Sequence, residues 1–351
     1  MSWVKALVRA DILALEAYEA AAWDPNLTRL HANELPWRMA GDNSRAGLNR
    51  YPEGQPKVLI ERLARLYGVP AFSVLATRGS DDAIDLLIRA FCRAEHDAVL
   101  ICPPTFGMYA VAARIQGAKV VNVPLRSHEG FALDEEALLK RSTAGVKIVF
   151  LCSPNNPTGN LLAPDAILRI AAALTQHALV VVDEAYVEFT TQATLARHLT
   201  QRPNLVILRT LSKAHALAGA RCGTLIADAE VIALLRKVLP PYAIAQPTLE
   251  AVLTLLEPAE LEASTFHRAT ICTERERMLR ALPRLSRVMR VWPSEANFVL
   301  AEFEDASDAF SLARDANFLV RDVRAYPELP GSLRITIGTP SQNDRLLEAW
   351  A

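Results

Sequence analysis

The chain has 351 residues, with 38 basic against 39 acidic side chains, a formal net charge of -1 at pH 7 and 51% hydrophobic residues. That balance excludes a nucleic acid or an anionic membrane surface as the main partner and leaves a small molecule as the expected ligand. No run approaches the roughly 18 uninterrupted apolar residues of a membrane span, so no membrane partner is expected either. At roughly 150 residues per domain the length fits about two domains with a sizeable core. The N-terminal run, with Arg9, Asp11 and Glu16, lacks the apolar segment of a secretory signal and reads as cytoplasmic. Cys92, Cys102, Cys152, Cys222 and Cys272 are odd in number and scattered, without a C-x-x-C pair or a Cys/His cluster. Neither disulfides nor a metal site is expected, and the thiols read as small buried side chains.

Residues 1–45 read as a helix and an irregular arm with Asn33, Pro36 and Gly41, too short to fold alone and expected to pack on the smaller domain or on a neighbouring subunit. Residues 46–240 alternate short apolar runs with helical patterns, the mark of an α/β domain with a mostly parallel central sheet and helices on both faces. The runs are Ser73–Thr77, Ala98–Cys102, Lys147–Cys152, Leu179–Asp183, Leu205–Leu211 and Gly223–Ala227. Most are apolar on consecutive residues, which requires cover on both faces. Ile84, Leu87, Ile88 and Phe91 make one helix face, as do Ile167, Ile170, Ala171 and Leu174 after Pro164. After Pro240-Pro241 the pattern changes to a long helical stretch, Leu249 to Leu282, and then to strands such as Asn297–Glu302 and Leu333–Ile337. Residues 241–351 therefore read as a smaller α+β domain.

An ordered series carries the chemistry: Asn156 in Ser153-Pro154-Asn155-Asn156-Pro157-Thr158-Gly159, Asp183 in Asp183-Glu184-Ala185-Tyr186, then Ser212-Lys213, then Arg221. The first three groups each follow an apolar strand, so their side chains collect at the carboxyl ends of the sheet, where open α/β folds bind ligands. A lysine for a Schiff base and an acid for a pyridinium nitrogen are what pyridoxal phosphate needs, and Lys213 and Asp183 fill those roles. A buried carboxylate keeps that nitrogen protonated, and Lys213, displaced by a substrate amine, can move the substrate proton. Asn156 and Tyr186 can donate to the ring oxygen. Ser80 and Asp81, in Arg78-Gly79-Ser80-Asp81 at a helix start, together with Ser212 and Arg221, suit the phosphate.

These motifs resemble those of the fold-type I aminotransferases, the aspartate-aminotransferase-like superfamily of pyridoxal-phosphate enzymes, through most of the chain. The finer resemblance is to the histidinol-phosphate aminotransferases. It is carried by Leu30-His31-Ala32-Asn33-Glu34-Leu35-Pro36, Asn49-Arg50-Tyr51-Pro52, Cys102-Pro103-Pro104-Thr105-Phe106-Gly107-Met108-Tyr109, Leu208-Arg209-Thr210-Leu211-Ser212-Lys213-Ala214 and Leu333-Arg334-Ile335-Thr336-Ile337-Gly338-Thr339. The resemblance implies exchange of an amino group between L-histidinol phosphate and 2-oxoglutarate, in the biosynthetic direction from imidazole-acetol phosphate and L-glutamate, in histidine synthesis. It implies that Tyr109 stacks on the cofactor ring and that Tyr51 reaches the cofactor phosphate of the partner in a homodimer with shared sites. Arg334 would take the glutamate carboxylate and, for the other substrate, the phosphate, with Arg321, Tyr18 and Asn33 as further substrate contacts.

Two positions depart from the family pattern. Its Asn-Glu-Asn-Pro reads Asn33-Glu34-Leu35-Pro36, and its Phe-Gly after the lysine motif reads His215-Ala216. His215 is read as a packing residue, since Lys213 already supplies a base. The alternatives are an aminotransferase for aromatic amino acids and a lyase like the threonine-phosphate decarboxylases. A ligand sensor without turnover is the alternative of another class, disfavoured because no basic extension precedes the fold.

Overall fold

Two five-residue helices, α1 (Trp3–Leu7) and α2 (Ala10–Ala14), open the chain in a computed structural model that describes residues 3–18, 24 and 26–351. Val4 and Leu7 of α1, Ile12 of α2 and Val8 between the helices are buried. Then follow α3 (Lys57–Tyr67), β1 (Val74–Thr77), α4 (Ser80–Phe91), β2 (Ala98–Ile101), α5 (Met108–Gln116), β3 (Lys119–Asn122), α6 (Glu135–Arg141), β4 (Val146–Cys152), α7 (Pro164–Ala173), β5 (Leu179–Asp183), β6 (Leu205–Thr210), β7 (Gly223–Ile226) and α8 (Ala229–Val238). The strands form one sheet in the order β1-β7-β6-β5-β4-β2-β3. From β6 to β3 neighbouring strands are parallel, while β7 is antiparallel to both β6 and β1.

Both faces of this sheet are covered, and for that reason its strands are apolar on consecutive residues. In β5, Val180 and Val182 enter a core with α3 and α7, while Leu179 and Val181 enter a second core with α4, α5 and α8. The first two helices join that second core, and Arg9 donates through N and Nη1 to the carbonyls of Ala90 and Arg89 at the end of α4. Within the chain this segment therefore lies on the larger unit and not on the smaller one. Lys237 Nζ holds it from α8 through the Leu13 carbonyl at 2.7 Å. Strand β3 is not expected from the sequence: it is a four-residue edge strand with only two apolar residues, Val120 and Val121, and exposed ends.

The second unit contains α9 (Gln246–Leu255), α10 (Pro258–Ala281), β8 (Val288–Trp292), β9 (Phe298–Phe303), α11 (Ala306–Asp315), β10 (Arg321–Asp322), β11 (Ser332–Thr336) and α12 (Pro340–Trp350). The helical stretch expected from Leu249 to Leu282 is two helices, because Pro258 has no N–H with which to continue α9 and suits the first turn of α10. Although α9 lies beyond residue 240, Leu249, Val252 and Leu256 pack into the core shared with α3. The antiparallel sheet β10-β11-β9-β8 buries Val299, Ala301, Phe303, Leu333 and Ile335 against α10, α11 and α12. Alternation then turns Leu300 toward the larger unit, and Arg334, its partner across β9 and β11, shares that face.

One close approach fixes where α4 begins. A Cβ on Gly223, the first residue of β7, would lie 2.4 Å from the carbonyl carbon of Gly79 and 2.6 Å from the amide nitrogen of Ser80. Gly79 itself has φ +86°, open to glycine and strained for other residues. Gly223→Ala is therefore expected to push the start of α4 outward and lower stability by about 1–3 kcal/mol, read as a reduced urea midpoint. A wild-type midpoint would show that the turn yields without cost.

Candidate active site

Parallel pairing of β4, β5 and β6 sets three chain segments side by side, with Cys152 opposite Asp183 and Asp183 opposite Leu208. Asn156 follows β4, Asp183 ends β5, and Lys213 lies three residues beyond β6. All three border a cavity of about 670 Å³ between the carboxyl edge of the large sheet and the small sheet. Ser80, Asp81, Tyr186, Ser212 and Arg221 line its floor and one end, and Arg321 and Arg334 line the small-sheet side. The sequence thus placed ten residues on this wall, and four others lie elsewhere.

Tyr109 is one of the four. It lies in the first turn of α5 with Ala112 and Ala113 on the same buried face, and its ring stacks on Phe150 at 4.7 Å and 6°. The cavity wall carries Phe106 instead, edge-on to Tyr109 at 5.6 Å. The stacking role expected for Tyr109 is therefore not open to it, and helical spacing from Ala112 and Ala113 is the signal that separates the two rings. Tyr109 Oη instead donates to Asp183 Oδ2 at 2.8 Å. Tyr51 is half exposed and stacks on Tyr242 at 4.5 Å, outside the cavity. Tyr18 is exposed, and so is Asn33, which takes φ +57°. Around them the arm is organised by Glu34, which accepts from Arg29 at 2.7 Å, Arg50 at 3.0 Å and the Tyr51 amide at 2.6 Å.

Asp183 is buried, and burial raises its pKa from 3.8 to about 6 against the opposing hydrogen bonds from Tyr109 and the Ala185 amide. Across the cavity, Lys213 Nζ stands 5.8 Å from the Tyr186 ring centroid. Burial, then the positive charge of Arg334, holds its amine below the usual lysine range. Asn156 ties the two units together: its Nδ2 donates to Tyr186 Oη at 3.4 Å, and its Oδ1 accepts from Arg334 Nη1. The Arg334 guanidinium lies over the Phe298 ring at 5.1 Å, and its Nε has no partner.

At the other end, Arg221 Nη1 donates to Ser212 Oγ at 3.4 Å and Nη2 to Asp81 Oδ2 at 3.3 Å. With Ser80 opening the twelve-residue α4, these groups make a donor-rich pocket at a helix N-terminus, suited to an anion. The Asp81 carboxylate is taken up by Arg221, so what it offers an anion is its backbone N–H.

Beneath the lysine loop lies an ionic cluster that sequence reasoning missed. Arg209 donates to Glu184 at 3.3 Å and Glu188 at 2.8 Å and sits 4.6 Å from the Tyr67 ring centroid. His215 faces Glu188 across 3.8 Å with its side chain 8% exposed. It is buried away from the cavity, and the neighbouring Ala216 takes φ +55°.

The sheet, the cavity at its carboxyl edge and the lysine set against a buried acid define a fold-type I aminotransferase. Residues 28–349 match the family Aminotransferase class I and II, and the chain belongs to it. More narrowly, it is 48% identical to the histidinol-phosphate aminotransferase of Stenotrophomonas maltophilia, covering 99% of this chain and 96% of that protein. Two solved structures are similar. One is a putative histidinol-phosphate aminotransferase from Erwinia carotovora atroseptica, with TM-score 0.76 and 29% identity, covering 86% of this chain and 87% of that one. The other is the histidinol-phosphate aminotransferase of Sinorhizobium meliloti in complex with pyridoxal-5′-phosphate, with TM-score 0.76 and 25% identity, covering 86% and 82%.

The raised pKa of Asp183 has a testable sign. The folded chain holds this proton more tightly than the unfolded chain, so Asp183 lowers stability as pH rises from 3.8 through about 6. In cofactor-free protein, Asp183→Asn keeps the shape and removes the charge, and its melting temperature should gain on wild type between about pH 4 and pH 6. A difference that stays level across that range would show that Asp183 is not the group that titrates.

Proposed function

We propose that this chain is a pyridoxal-5′-phosphate-dependent aminotransferase that exchanges an amino group between L-histidinol phosphate and 2-oxoglutarate. In the biosynthetic direction it would consume imidazole-acetol phosphate and L-glutamate. The observation that carries the substrate reading is the pair Arg321 and Arg334, set directly opposite each other in the β10–β11 register on the cavity wall. Like charges in that position destabilise a sheet, unless an anion lies between them. A phosphate with up to two charges answers that need, and the carboxylate of glutamate answers it in the other half of the reaction.

The residues present fit the cofactor. Lys213 Nζ would carry it covalently, Asp183 would meet its ring nitrogen, and Asn156 and Tyr186 would donate to its ring oxygen. Its phosphate would sit against Ser80, the Asp81 backbone N–H, Ser212 and Arg221. The buried Asp183 carboxylate supports this assignment, because a cationic ring nitrogen offsets the desolvation that now raises its pKa. When bound, the group supplies an electron sink for the carbon that loses its proton. Lys213 Nζ, freed as an amine, takes that proton and returns it. Burial and the charge of Arg334 lower its pKa, which favours the neutral amine that can accept a proton.

The proposal includes a homodimer. Leu27, Leu30, Leu35, Trp37, Met39 and Leu48 are more than half exposed along one arm, an apolar surface that a monomer seldom presents. A second copy of the chain would cover it and bring Tyr51 of the partner subunit toward the cofactor phosphate. Tyr18 and Asn33 belong to the same arm and would reach the substrate in that assembly. Equilibrium sedimentation should give twice the chain mass, and a fully active monomer would overturn this part. We place the protein in the cytoplasm, where the free thiols at Cys92, Cys102, Cys152, Cys222 and Cys272 persist. Among the described residues no helix is long and apolar enough to cross a membrane.

The deciding experiment adds L-histidinol phosphate, without any oxo acid, to cofactor-loaded protein. Expected are stoichiometric loss of the cofactor's visible band, release of imidazole-acetol phosphate and return of colour with 2-oxoglutarate. A response to glutamate and phenylalanine alone would move the substrate to the aromatic amino acids. Carbon dioxide release from threonine phosphate would replace transfer by decarboxylation.

A further inference from the structure

The cavity has two side walls that belong to different units. One is the loop after β2 with Phe106, Gly107 and Met108, and the other is the connection from β10 to β11 with Val323, Ala325 and Tyr326. Tyr326 joins them: its Oη donates to the carbonyl of Thr105 at 2.8 Å, across 221 positions of sequence.

Both ends of this link are held. Thr105 is buried, and its Oγ1 donates to Asn155 Oδ1 at 2.9 Å, while Asn155 Nδ2 donates to the Pro104 carbonyl at 2.8 Å. On the other side, the Tyr326 amide donates to the Val323 carbonyl at 3.1 Å and the Tyr326 carbonyl accepts from the Leu329 amide at 2.9 Å. Val323 and Leu329 are themselves buried in the core under the sheet. A ring pinned through its backbone and its hydroxyl cannot swing aside, so the space beside it is fixed. Burial raises the pKa of the hydroxyl, and the charges of Arg321 and Arg334 oppose the rise, which places it within their field.

We propose that Tyr326 is a specificity-determining residue: its ring, held by the Thr105 carbonyl, is the rigid wall that sizes the subsite between the Arg321/Arg334 pair and Phe106. The inference rests on the reading that those arginines hold the substrate's anionic end. Histidinol phosphate and phenylalanine carry a planar ring on a branch of the amine-bearing carbon separate from the anion, and with the anion held by the arginines that ring must find its place against this wall. The flexible chain of glutamate makes less use of it. The hydroxyl acts through position alone, since it is engaged with a backbone carbonyl.

The test compares single-turnover reactions of wild type, Tyr326→Phe and Tyr326→Ala, each loaded with cofactor and matched in thermal stability. The amines are histidinol phosphate, phenylalanine and glutamate. In Tyr326→Ala the ratio of kcat/KM for the ring-bearing substrate to that for glutamate should fall about tenfold or more, chiefly through KM. Tyr326→Phe, which keeps the ring and loses the tether, should lower the same ratio about threefold. Equal losses for all amines, or a fall in kcat alone, would assign Tyr326 a merely structural role and overturn the inference. If wild type rejects histidinol phosphate, the substrate reading fails by itself, and the ratio taken with phenylalanine still decides the role of Tyr326.

Discussion

The site depends on one carboxylate being kept dry. Asp183 ends the central strand of a sheet whose two faces are both covered, so water reaches it poorly and its charged form is disfavoured. The chain meets that cost with two donors, one to each carboxylate oxygen: Tyr109 Oη to Oδ2 and the amide of Ala185 to Oδ1. Neither removes the penalty, since the pKa still lies near 6. The remainder would be offset by a positive charge brought in by a ligand, as the proposed cofactor's ring nitrogen would do. Tyr109 thereby has a different use from the one its neighbours in sequence imply: it orients the acid, and Phe106 is left to face the ligand.

A second buried charge problem lies under the lysine loop. Glu184 and Glu188 flank Tyr186 on the segment after β5, and Arg209 near the end of β6 bonds to both. Burial raises the pKa of Glu184, whereas the guanidinium of Arg209 and the contact with His215 hold Glu188 low against its own burial. Removing one partner of such a cluster is far more damaging than never having built it, because the remaining charge is stranded. The arrangement therefore locks the segment carrying Asp183 and Tyr186 to the segment carrying Ser212 and Lys213. His215 belongs to this lock and not to the reacting atoms.

The parallel sheet and its site at the strand ends were legible because their causes are local. Consecutive valines in Leu179–Asp183 announce a strand buried on both faces, and the residue after such a strand points to the carboxyl edge. Lys213, Asp183 and Asn156 could be placed by that argument alone. What was not legible depends on which partner a residue meets. The edge strand at Lys119–Asn122 is too short and too polar to stand out, and it exists because β2 offers a free edge. The break between α9 and α10 could have been read from Pro258. The docking of α1 and α2 on the larger unit could not, since their three buried side chains and Val8 between them fit any apolar surface. Tyr109 and Phe106 differ by three positions, and only the start of α5 decides which of them faces inward.

The two arginines show how the smaller unit contributes to the site. Alternation along β11 buries Leu333 and Ile335 in the small core and leaves Arg334 over the Phe298 ring of β9 and facing the larger unit, where Asn156 receives it. One register step in either direction would turn the guanidinium into the small core and the leucine into the cavity. The hydrophobic pattern of the small unit thus enforces the placing of the Arg334 guanidinium on the cavity wall. Arg321 is set by pairing with the same residue, so both positive groups depend on a single register. Because Asn156 also bonds to Tyr186, the Arg334 side chain is tied through Asn156 to the ring beside Lys213. An anion drawn between the arginines would therefore act on groups already coupled to the lysine, and its binding and the placing of the reacting carbon become one event rather than two.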